Sequence, residues 1–419
     1  MQLSIVIPAL NERDNIAKLI PAIRAAIPAD VVNYEIIVVD GHSHDGTPRL
    51  ATQLGARVIT QNKPGYGGAL QAGFDQARGE YVLTLDADLS HPPAFLPTMW
   101  QARSEAEVVI ASRYVPGGSA AMPWVRRILS RILNLVFSRG LSLGLRDVSS
   151  GFRLYKAAVL RDISIHSTHF DVLEEILIQA RAQGWRIAEV PFRYRARQNG
   201  RSHVRLLEFG WAYFKTFHRM WRLRHSIDSA DYDYRAYDSI IPLQRYWQRT
   251  RHKIIVEFAR GAGKTLDVGC GSSRILLDLE NAIGLDIQIG KIRYVRDLGA
   301  RGLVASAFAL PFPNGSFDCI VSSQVIEHLP CTPLLFEEMT RLLKPGGRLI
   351  VGTPDYGGLL WPAIEFLYAR LAPGGYADEH ITHYTRRSLE ETVRKYGFEC
   401  QQVGWVGRAE VILQCTKTG

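Results

Sequence analysis

Short apolar runs alternate with amphipathic stretches along the first half of the chain. Residues 3–7, 35–39 and 81–85 are runs of apolar and β-branched side chains, which are typical of strands. Between the first two runs, apolar residues recur at helical spacing, at Ile16, Leu19, Ile20, Ile23 and Ile27. Strands and helices in alternation predict a parallel sheet with right-handed crossovers.

The same alternation begins again in the second half. At 419 residues the chain exceeds the usual domain size of about 100 to 200 residues. Residues 226–244 show no sustained period, which indicates a break between two domains. We therefore predict the α/β class with two doubly wound domains, at residues 1–224 and 245–419, joined by a linker at residues 225–244. The strands predicted in the second domain are residues 265–268, 282–285, 317–322 and 348–352.

The composition is that of a globular protein, with 47% hydrophobic and 22% charged residues. No apolar run approaches the roughly 18 to 20 residues that a membrane-spanning helix needs, and the first residues lack the pattern of a signal peptide. The cysteines have neither disulfide nor zinc spacing, so we expect reduced thiols in a cytoplasmic protein. They are Cys270, Cys319, Cys331, Cys400 and Cys415.

Positive charge is concentrated in one block of the sequence. Residues 1–125 hold 9 Lys and Arg against 12 Asp and Glu, whereas residues 126–224 hold 19 against 7. Such a block predicts an anionic partner: nucleic acid, anionic lipid headgroups or a phosphorylated substrate. We do not expect nucleic acid, because no recognised binding motif accompanies the charge.

Polar residues follow the predicted strands of the first domain, where an open α/β sheet binds its ligand. Asp86 and Asp88 flank Ala87 just past an apolar run. Their carboxylates can converge on one divalent cation, Mg²⁺ or Mn²⁺, that also binds a diphosphate. A pair of this kind also occurs in ordinary acidic turns, so the neighbouring motifs decide its meaning.

The motifs IPALNERDNI, VVDGHSHDGT and NKPGYGGALQAGFDQARGEYVLTLDADLSHPP resemble, in order and spacing, family 2 glycosyltransferases of the GT-A fold. The stretches ASRY, VSSGFRLY, EILIQA and VPFRYRARQNGRSH are similar to the dolichyl-phosphate mannosyltransferase (polyprenyl-phosphate glycosyltransferase) branch. The resemblance covers about residues 1–224 and implies a nucleotide-sugar donor, with Asp86 and Asp88 holding the metal. The residues that it implies for the nucleoside are Pro8, Asn11, Glu12 and Asp40.

The same branch implies a polyprenyl phosphate acceptor and usually GDP-mannose as donor. An ionised phosphate is already a nucleophile, so such a site needs arginines more than a strong base. Arg113, Arg153 and Arg197 fall on the motif arginines and are expected to bind phosphate oxygens, although a solvated surface role is the common alternative. With Asp88 and His203 they form the expected catalytic set.

Three positions depart from the pattern of this branch. Ser90 stands where a Gln often completes the metal shell, and Gly41 follows Asp40 where a second acid is usual. His203 replaces the Lys of the R-x-x-G-x-S-K pattern, and since His is mostly neutral at pH 7, we expect a weaker or pH-sensitive phosphate contact. These departures concern the identity of the donor more than the class of reaction.

Two stretches of the basic block combine apolar and basic residues at helical spacing, which suits helices lying on an anionic membrane surface. The alternative is a pair of helices that cover the core and expose only their arginines. The apolar members are Ile128, Ile132, Leu135 and Val136 in residues 124–139, and Phe209, Trp211, Tyr213, Phe214, Phe217, Met220 and Trp221 in the second stretch. We expect peripheral attachment to the cytoplasmic face of the membrane.

A glycine turn follows the first strand of the second domain, in the sequence TLDVGCGSSR. Such a turn serves dinucleotides as well as adenosylmethionine. Two points argue against a dinucleotide. Arg274 occupies the third glycine position of the dinucleotide pattern, and adenosylmethionine has no pyrophosphate for the turn to bind. Asp286 closes the next strand, in range of two ribose hydroxyls.

The sequences LDVGCG, GLDI, ALPFPNGSFDCIVSSQVIEHL and LLKPGGRLIVGTP resemble class I methyltransferases of the broad ubiquinone/menaquinone-methyltransferase-like group, with a Rossmann-like fold, over about residues 245–416. Ser306 replaces a usual Asp that receives the adenine amino group, and Cys270 is expected to be a small packing residue. The resemblance implies S-adenosylmethionine as cofactor, bound by Asp267, Gly269, Gly271 and Asp286, with Phe308, Leu310 and Gln324 nearby.

Histidines of the second domain are candidates for a general base, which methyl transfer needs only for a poor nucleophile. We interpret His328 as structural, whereas His380 and His383 stay open between base and structural roles. Together the motifs predict a bifunctional enzyme. One domain is expected to transfer a sugar, mannose from GDP-mannose, to a polyprenyl phosphate, and the other to transfer a methyl group to a glycan, lipid or pathway partner. The alternative is a glycosyltransferase for a soluble acceptor with a non-catalytic C-terminal binding module.

Overall fold

The computed structural model describes residues 1–194, 206–330, 332–371 and 380–418. It divides into two compact units. The first unit consists of Met1–Arg181 and Trp185–Arg224, and the second of Ala182–Gly184 and His225–Gly419. No helix of the described residues combines the length and the apolar character that a membrane crossing requires.

The first unit is an α/β fold built on one mixed sheet. The strands of this unit are β1 (Leu3–Ala9), β2 (Tyr34–Asp40), β3 (Arg57–Thr60), β4 (Tyr81–Thr84), β5 (Val108–Ser112), β6 (Ser119–Ala120), β7 (Arg153–Lys156), β8 (Ile187–Pro191) and β9 (Arg193–Tyr194). Strands β6 and β9 pair only with each other, in a separate two-stranded sheet. Its helices are α1 (Arg13–Ala26), α2 (Thr47–Gln53), α3 (Gly65–Gln76), α4 (Leu96–Gln101), α5 (Trp124–Gly140), α6 (Ala157–Arg161), α7 (Val172–Ala182) and α8 (Leu206–Arg224).

The strand order of this sheet is β3-β2-β1-β4-β7-β5-β8. The three strands predicted from the sequence, β1, β2 and β4, pair in parallel as expected. Strand β7 runs antiparallel to both β4 and β5, while the remaining pairs are parallel. Side chains alternate along β1: Ile5 and Ile7 enter the core on one face, and Val6 enters the core on the other. Both faces are thus covered by helices, which explains the near-continuous apolar runs in the sequence.

The second unit is also an α/β fold with a mixed sheet, in the order β12-β11-β10-β13-β14-β16-β15. Its strands are β10 (Thr265–Val268), β11 (Ala282–Asp286), β12 (Gly302–Val304), β13 (Phe317–Ser323), β14 (Leu343–Pro354), β15 (Phe398–Val406) and β16 (Glu410–Lys417). Its helices are α9 (Tyr232–Ala236), α10 (Pro242–Ala259), α11 (Ile275–Asp278), α12 (Ile289–Asp297), α13 (Pro333–Leu342), α14 (Leu360–Leu371) and α15 (Arg386–Lys395). Strand β16 runs antiparallel to β14 and to β15, so this sheet is not purely parallel either.

The segment expected to be a linker, residues 225–244, belongs to the second unit. It contains α9 and the beginning of α10, which starts with Pro242 at its first position, where proline costs no hydrogen bond. Tyr232 and Ala236 of α9 are buried. The absence of a sustained period therefore reflects a short helix between tight turns, because five residues are too few to show helical spacing.

Candidate active sites

The loop after β4 gathers the acidic pair of the first unit. Asp88 is buried, and its Oδ1 accepts a hydrogen bond from the N–H of Ser90 at 3.0 Å. Asp86 is more exposed, and its Oδ1 accepts a hydrogen bond from the hydroxyl of Tyr66 at 3.1 Å. This loop lies where β4 ends, beside the end of β1, as expected for the ligand edge of an α/β sheet.

His91 holds this loop, and the sequence analysis did not single it out. Its Nδ1 accepts the backbone N–H of Asp86 at 3.0 Å, and its ring stacks on Phe152 with centroids 5.1 Å apart. Burial lowers the pKa of His91, although the charges of Asp86 and Asp88 oppose this shift. A neutral imidazole that accepts at Nδ1 carries its proton on Nε2, which lies 3.8 Å from Oδ2 of Asp86.

The residues expected at the nucleoside lie at the carboxyl ends of β1 and β2, which pair in parallel with Pro8 opposite Val39. Buried Asp40 accepts the N–H groups of His42 and Ser43, each at 3.1 Å to Oδ2. Asn11 has a left-handed backbone (φ 55°), and its Oδ1 accepts the N–H of His44 at 2.9 Å.

Glu12 completes this group. Its N–H donates to the hydroxyl of Thr47 at 3.0 Å, and its carboxylate accepts the amide of Asn15. The sequence-predicted residues of the two strand ends are therefore brought together, with short hydrogen bonds that hold the two loops against each other.

Arg113 is oriented by an acid that the sequence analysis missed. Its Nε and Nη2 each donate to the carboxylate of Asp147 at 2.7 Å, and Nη2 also donates to Ser149 at 2.8 Å. Burial alone would lower the pKa of Arg113, but the hydrogen bonds and charge of Asp147 outweigh it and raise the pKa. Asp147 thus forms with Arg113 the bidentate contact that was expected for a phosphate, and it holds the guanidinium in a fixed orientation.

The expectation that Arg153 binds a phosphate is not met by this geometry. Arg153 is 0% exposed, and its guanidinium donates to the backbone carbonyls of Leu173 and Val148, both at 2.6 Å. The backbone of Arg153 pairs with that of Thr84 at the carboxyl end of β4, but the side chain is buried in the core. Arg153 thus holds the backbone at Val148 and Leu173. Arg197 and His203 lie outside the described residues.

A buried acid of α7, Glu174, is a further feature that the sequence did not indicate. It is 0% exposed, and neither carboxylate oxygen accepts a hydrogen bond from a described residue. Burial raises the pKa of Glu174 to about 8, although the guanidinium of Arg153 opposes the shift. At neutral pH this carboxyl group is therefore mostly protonated.

Helices α5 and α8 differ in how they present their apolar residues. Along α5 the apolar residues are largely exposed, from 47% for Ile128 to 67% for Trp124, while Phe137 packs into the core. On α8, Met220 is buried, with Tyr213 and Phe217 packed against the core. Among the side chains of residues 124–140 and 210–224, the large apolar ones that are exposed are Trp124, Val125, Ile128, Leu129, Ile132, Leu135, Val136, Trp211, Phe214 and Trp221.

The second unit contains a cavity of about 750 Å³ at the carboxyl ends of β10 and β11. This volume lies within the range of cofactor sites, about 300 to 1,000 Å³. Most residues that were expected at or near the cofactor line it, as does Ser306. The expected residues that line it are Asp267, Gly269, Gly271, Asp286, Phe308 and Gln324.

The turn after β10 is held open by glycine. Gly269 has φ 70°, and a Cβ atom there would lie 2.3 Å from Val325. The N–H of Gly271 donates to Oδ2 of Asp286 at 2.9 Å, and Oδ1 of Asp286 accepts the N–H of Gln288 at 2.8 Å. Asp286 thus fixes both loops at the cavity floor.

Two carboxylates meet beneath the turn. Burial and the neighbouring carboxylate of Asp286 raise the pKa of Asp267 to about 7. Burial also raises the pKa of Cys270 well above its usual value, which agrees with a packing role for this thiol. The side-chain nitrogen of Gln324 is buried without an acceptor among the described residues, so the cavity offers a donor that a ligand can satisfy.

Asp233 of α9 is a cavity residue that the sequence analysis missed, because it lies in the expected linker. Its Oδ2 accepts the N–H of Ser272 at 3.2 Å and the ammonium of Lys291 at 3.3 Å. Burial alone would raise the pKa of Asp233, but the charge of Lys291 and the N–H of Ser272 outweigh burial and lower the pKa. The segment before α10 therefore helps to hold the glycine turn, and it also brings Trp247 of α10 to the wall.

Two candidate residues of this unit do not line the cavity. Leu310 does not line the cavity: it is buried in the main core cluster, and its N–H donates to Glu338 at 2.8 Å. His383 does not line it either, since its exposed ring stacks on Tyr356 with centroids 4.2 Å apart. His380, three residues earlier in the chain, does line the cavity.

His328 and His380 lie together at the cavity wall, with ring centroids 4.9 Å apart. The Nδ1 atom of His380 lies 2.9 Å from Oε1 of Glu365 and 2.8 Å from the hydroxyl of Tyr356. Burial raises the pKa of Glu327, which precedes His328 in the chain, to about 8. His328, which we interpreted as purely structural, is thus part of the cavity wall.

Each of the two units contains residues that match the sequence model of a known family. Residues 4–164 match the sequence model of glycosyl transferase family 2. Residues 266–351 match that of a methyltransferase domain.

Curated relatives resemble about half of the chain. A dolichol-phosphate mannosyltransferase of Pyrococcus furiosus is 32% identical over 232 residues, which are 53% of this chain and 64% of that protein. A polyprenol monophosphomannose synthase of Mycolicibacterium smegmatis is 34% identical over 241 residues, which are 54% of this chain and 89% of that protein.

Among solved structures, glucosyl-3-phosphoglycerate synthase of Mycobacterium tuberculosis is 24% identical, with a TM-score of 0.42, over 52% of this chain and 79% of its own. An adenosylmethionine-dependent methyltransferase of Thermotoga maritima, described as a possible histamine N-methyltransferase, is 22% identical, with a TM-score of 0.39, over 44% of this chain and 96% of its own.

Proposed function

The chain belongs to glycosyl transferase family 2, as a domain related to dolichol-phosphate mannosyltransferases followed by a methyltransferase domain, and from this premise we propose that it carries out two transfer reactions. The first unit transfers mannose from GDP-mannose to a polyprenyl phosphate. The second unit transfers a methyl group from S-adenosylmethionine to the glycan, to its lipid carrier or to a pathway partner. The observation that carries the sugar transfer is the 34% identity to a polyprenol monophosphomannose synthase over 89% of its length.

The acidic pair of the first unit suits a divalent cation. Asp86 and Asp88 supply carboxylate oxygens on one loop, the ligand type that Mg²⁺ and Mn²⁺ prefer. Bound there, the cation would neutralise charge on the diphosphate of the donor. Asp40 and Asn11 would position the nucleoside from the adjoining strand ends, and Arg113, oriented by Asp147, presents positive charge for a phosphate.

A lipid-linked acceptor explains the exposed apolar side chains of α5 and α8. Trp124, Ile132, Trp211 and Phe214 are each more than half exposed. Basic side chains alternate with them in the sequence, at Arg126, Arg127 and Arg131 on α5. Apolar and basic residues on one helix are typical of helices lying in the headgroup region, so we propose that the first unit binds an anionic membrane surface.

The cavity of the second unit fits adenosylmethionine. Asp286 ends β11 with its carboxylate at the cavity, where it can accept hydrogen bonds from two ribose hydroxyls. The left-handed Gly269 lets the backbone approach the ligand, and the amide of Gln324 can donate to it. The cofactor supplies an electrophilic methyl group. The chain itself mainly has to position the acceptor in line with that group and exclude water.

The test incubates the full-length protein with polyprenyl phosphate and GDP-mannose, with and without adenosylmethionine, followed by mass spectrometry of the products. We expect a mannosyl phospholipid in both reactions and a product 14 Da heavier, the mass of a CH₂ unit, when adenosylmethionine is present and the glycan or lipid is the methyl acceptor. Glycosylation of soluble phosphorylated acceptors without any lipid product would favour the soluble-acceptor alternative. Failure to bind adenosylmethionine would favour a non-catalytic second unit.

A further inference from the structure

Two segments that are distant in sequence converge at one end of the cavity of the second unit. The short helix Ile326–His328 follows β13, and residues 380–384 precede α15. The N–H groups of Ile381 and Thr382 donate to the backbone carbonyl of Glu327 at 2.8 and 3.0 Å. These hydrogen bonds tie the two segments together and bring their side chains into one cluster.

The cluster consists of Glu327, His328 and His380, whose potential ligand atoms all lie within 4.8 Å of one another. In residues 1–194, 206–330, 332–371 and 380–418 it is the one group of three such side chains with this spacing. The three side chains are buried or half-buried, so they differ from the exposed acidic groups that commonly lie close together without binding a metal.

Glu327 is the observation that points to a ligand. It is 0% exposed, and neither of its carboxylate oxygens accepts a well-aligned hydrogen bond from a described residue, although the hydroxyl of Thr353 lies near. A buried carboxyl group without donors is unfavourable, and a cation bound between it and two imidazoles would satisfy it.

A second carboxylate orients one of the imidazoles. Oε1 of Glu365 lies 2.9 Å from Nδ1 of His380 and also accepts the hydroxyl of Tyr356 at 2.9 Å. A proton shared at Nδ1 leaves the lone pair of His380 on Nε2. Histidines that ligate metals commonly donate their other ring N–H to a carboxylate in this way.

We propose that Glu327, His328 and His380 form a binding site for a divalent transition-metal ion of the Zn²⁺ class. Two imidazoles and one carboxylate are a ligand set that binds Zn²⁺ and leaves a coordination position open. Both imidazoles line the cavity, so the open position takes up an oxygen of the methyl acceptor. This last role rests on the methyl transfer proposed above, whereas binding of the cation does not.

The experiment uses the full-length protein with the substitution Asp88→Ala, which disables the acidic pair of the first unit. After treatment with a chelator, Zn²⁺ binding is measured by calorimetry and Co²⁺ binding by its visible spectrum. We expect one equivalent of each ion to bind, and at least a 10-fold loss of affinity on adding Glu327→Gln or His380→Ala. Glutamine keeps the shape of a protonated glutamate, so the first of these substitutions should leave the fold intact.

Two matched controls separate the site from adventitious binding. His252→Ala removes a histidine paired with Asp278 at 2.7 Å, and Glu337→Gln removes an exposed acid of the same unit; both should keep the affinity. Equal binding in all variants, or no binding in the Asp88→Ala protein, would overturn the proposal.

The open position is tested by adding acetohydroxamate to the Co²⁺ protein, which should change the visible spectrum; an unchanged spectrum would refute that part. Adenosylmethionine binding is measured in parallel and should persist in Glu327→Gln. Its absence from the unsubstituted protein would count against the proposed methyl transfer, whereas the cation site is judged on the metal titrations.

Discussion

Asp88 is the residue on which sugar transfer should depend most. Its carboxylate is buried on a loop that His91 holds through the backbone N–H of Asp86. We expect Asp88→Ala to lower the rate of mannosyl transfer by about 100-fold or more, because the leaving diphosphate loses its counter-charge. Initial rates with Mg²⁺ or Mn²⁺ give the measurement, and Asp75→Ala on α3 is the matched control. Full activity in the presence of excess EDTA would contradict the assignment.

Glu174 should make the stability of the first unit depend on pH. Its pKa is about 8 in the folded protein, above the value of 4.5 for an unperturbed glutamate. The folded state therefore binds the proton more tightly, and the stability that this provides is present below pH 4.5 and is lost as the pH rises through 8.

The substitution Glu174→Gln removes this titration. At pH 8 to 9 we expect the variant to be more stable than the unsubstituted protein, by on the order of 1 to 3 kcal/mol, with a much smaller difference at pH 5. Urea unfolding at the two pH values measures the effect. A stability difference that is the same at both values would show that Glu174 does not titrate in this range.

At the scale of elements, the exposed faces of α5 and α8 predict membrane binding. We expect co-sedimentation with anionic vesicles at low salt, weaker binding at 1 M salt, and loss of binding when Trp124, Ile132, Trp211 and Phe214 are all changed to Ser. Val32→Ser, which also removes an exposed apolar side chain, is the control. If vesicle binding depends neither on salt nor on the four substitutions, the two helices only cover the core and do not bind the membrane.

Arg219 of α8 is unsuitable for such a test. It is one of the basic residues of this helix, but its Nη2 donates to the fully buried Glu175 at 2.7 Å and to Ser167 at 3.2 Å. Reversing its charge would remove the cation beside the buried carboxylate of Glu175, so a loss of vesicle binding could reflect a damaged fold.

At the scale of the whole molecule, two compact units predict separable activities. A fragment of residues 1–225 should still transfer mannose, because the first unit contains its own core clusters. A fragment of residues 225–419 should bind adenosylmethionine, whereas one of residues 245–419 should bind it at least 10-fold more weakly. The shorter fragment lacks Asp233, which holds the glycine turn through Ser272. Equal affinity of the two C-terminal fragments would contradict this role of the segment before α10.

The sequence alone determined the two α/β units and the motifs at their strand ends. The spacing of apolar residues reflects which face of each element is buried, and this is a local property that the sequence carries directly. For the same reason the positions of Asp40, Asp86, Asp88, Gly269 and Asp286 could be predicted: each directly follows or closes a strand, and the ends of neighbouring parallel strands meet at one edge.

Tertiary structure decided which side chains meet. Arg153 is buried in the core, whereas Arg113 is oriented by Asp147. Neither outcome can be inferred from motifs that show only an arginine at each position. The pairing of Glu327 with His380 joins segments more than 50 residues apart through backbone hydrogen bonds. Such contacts depend on the neighbours that each strand and turn acquires in the folded chain, and periodicity carries no information about those neighbours.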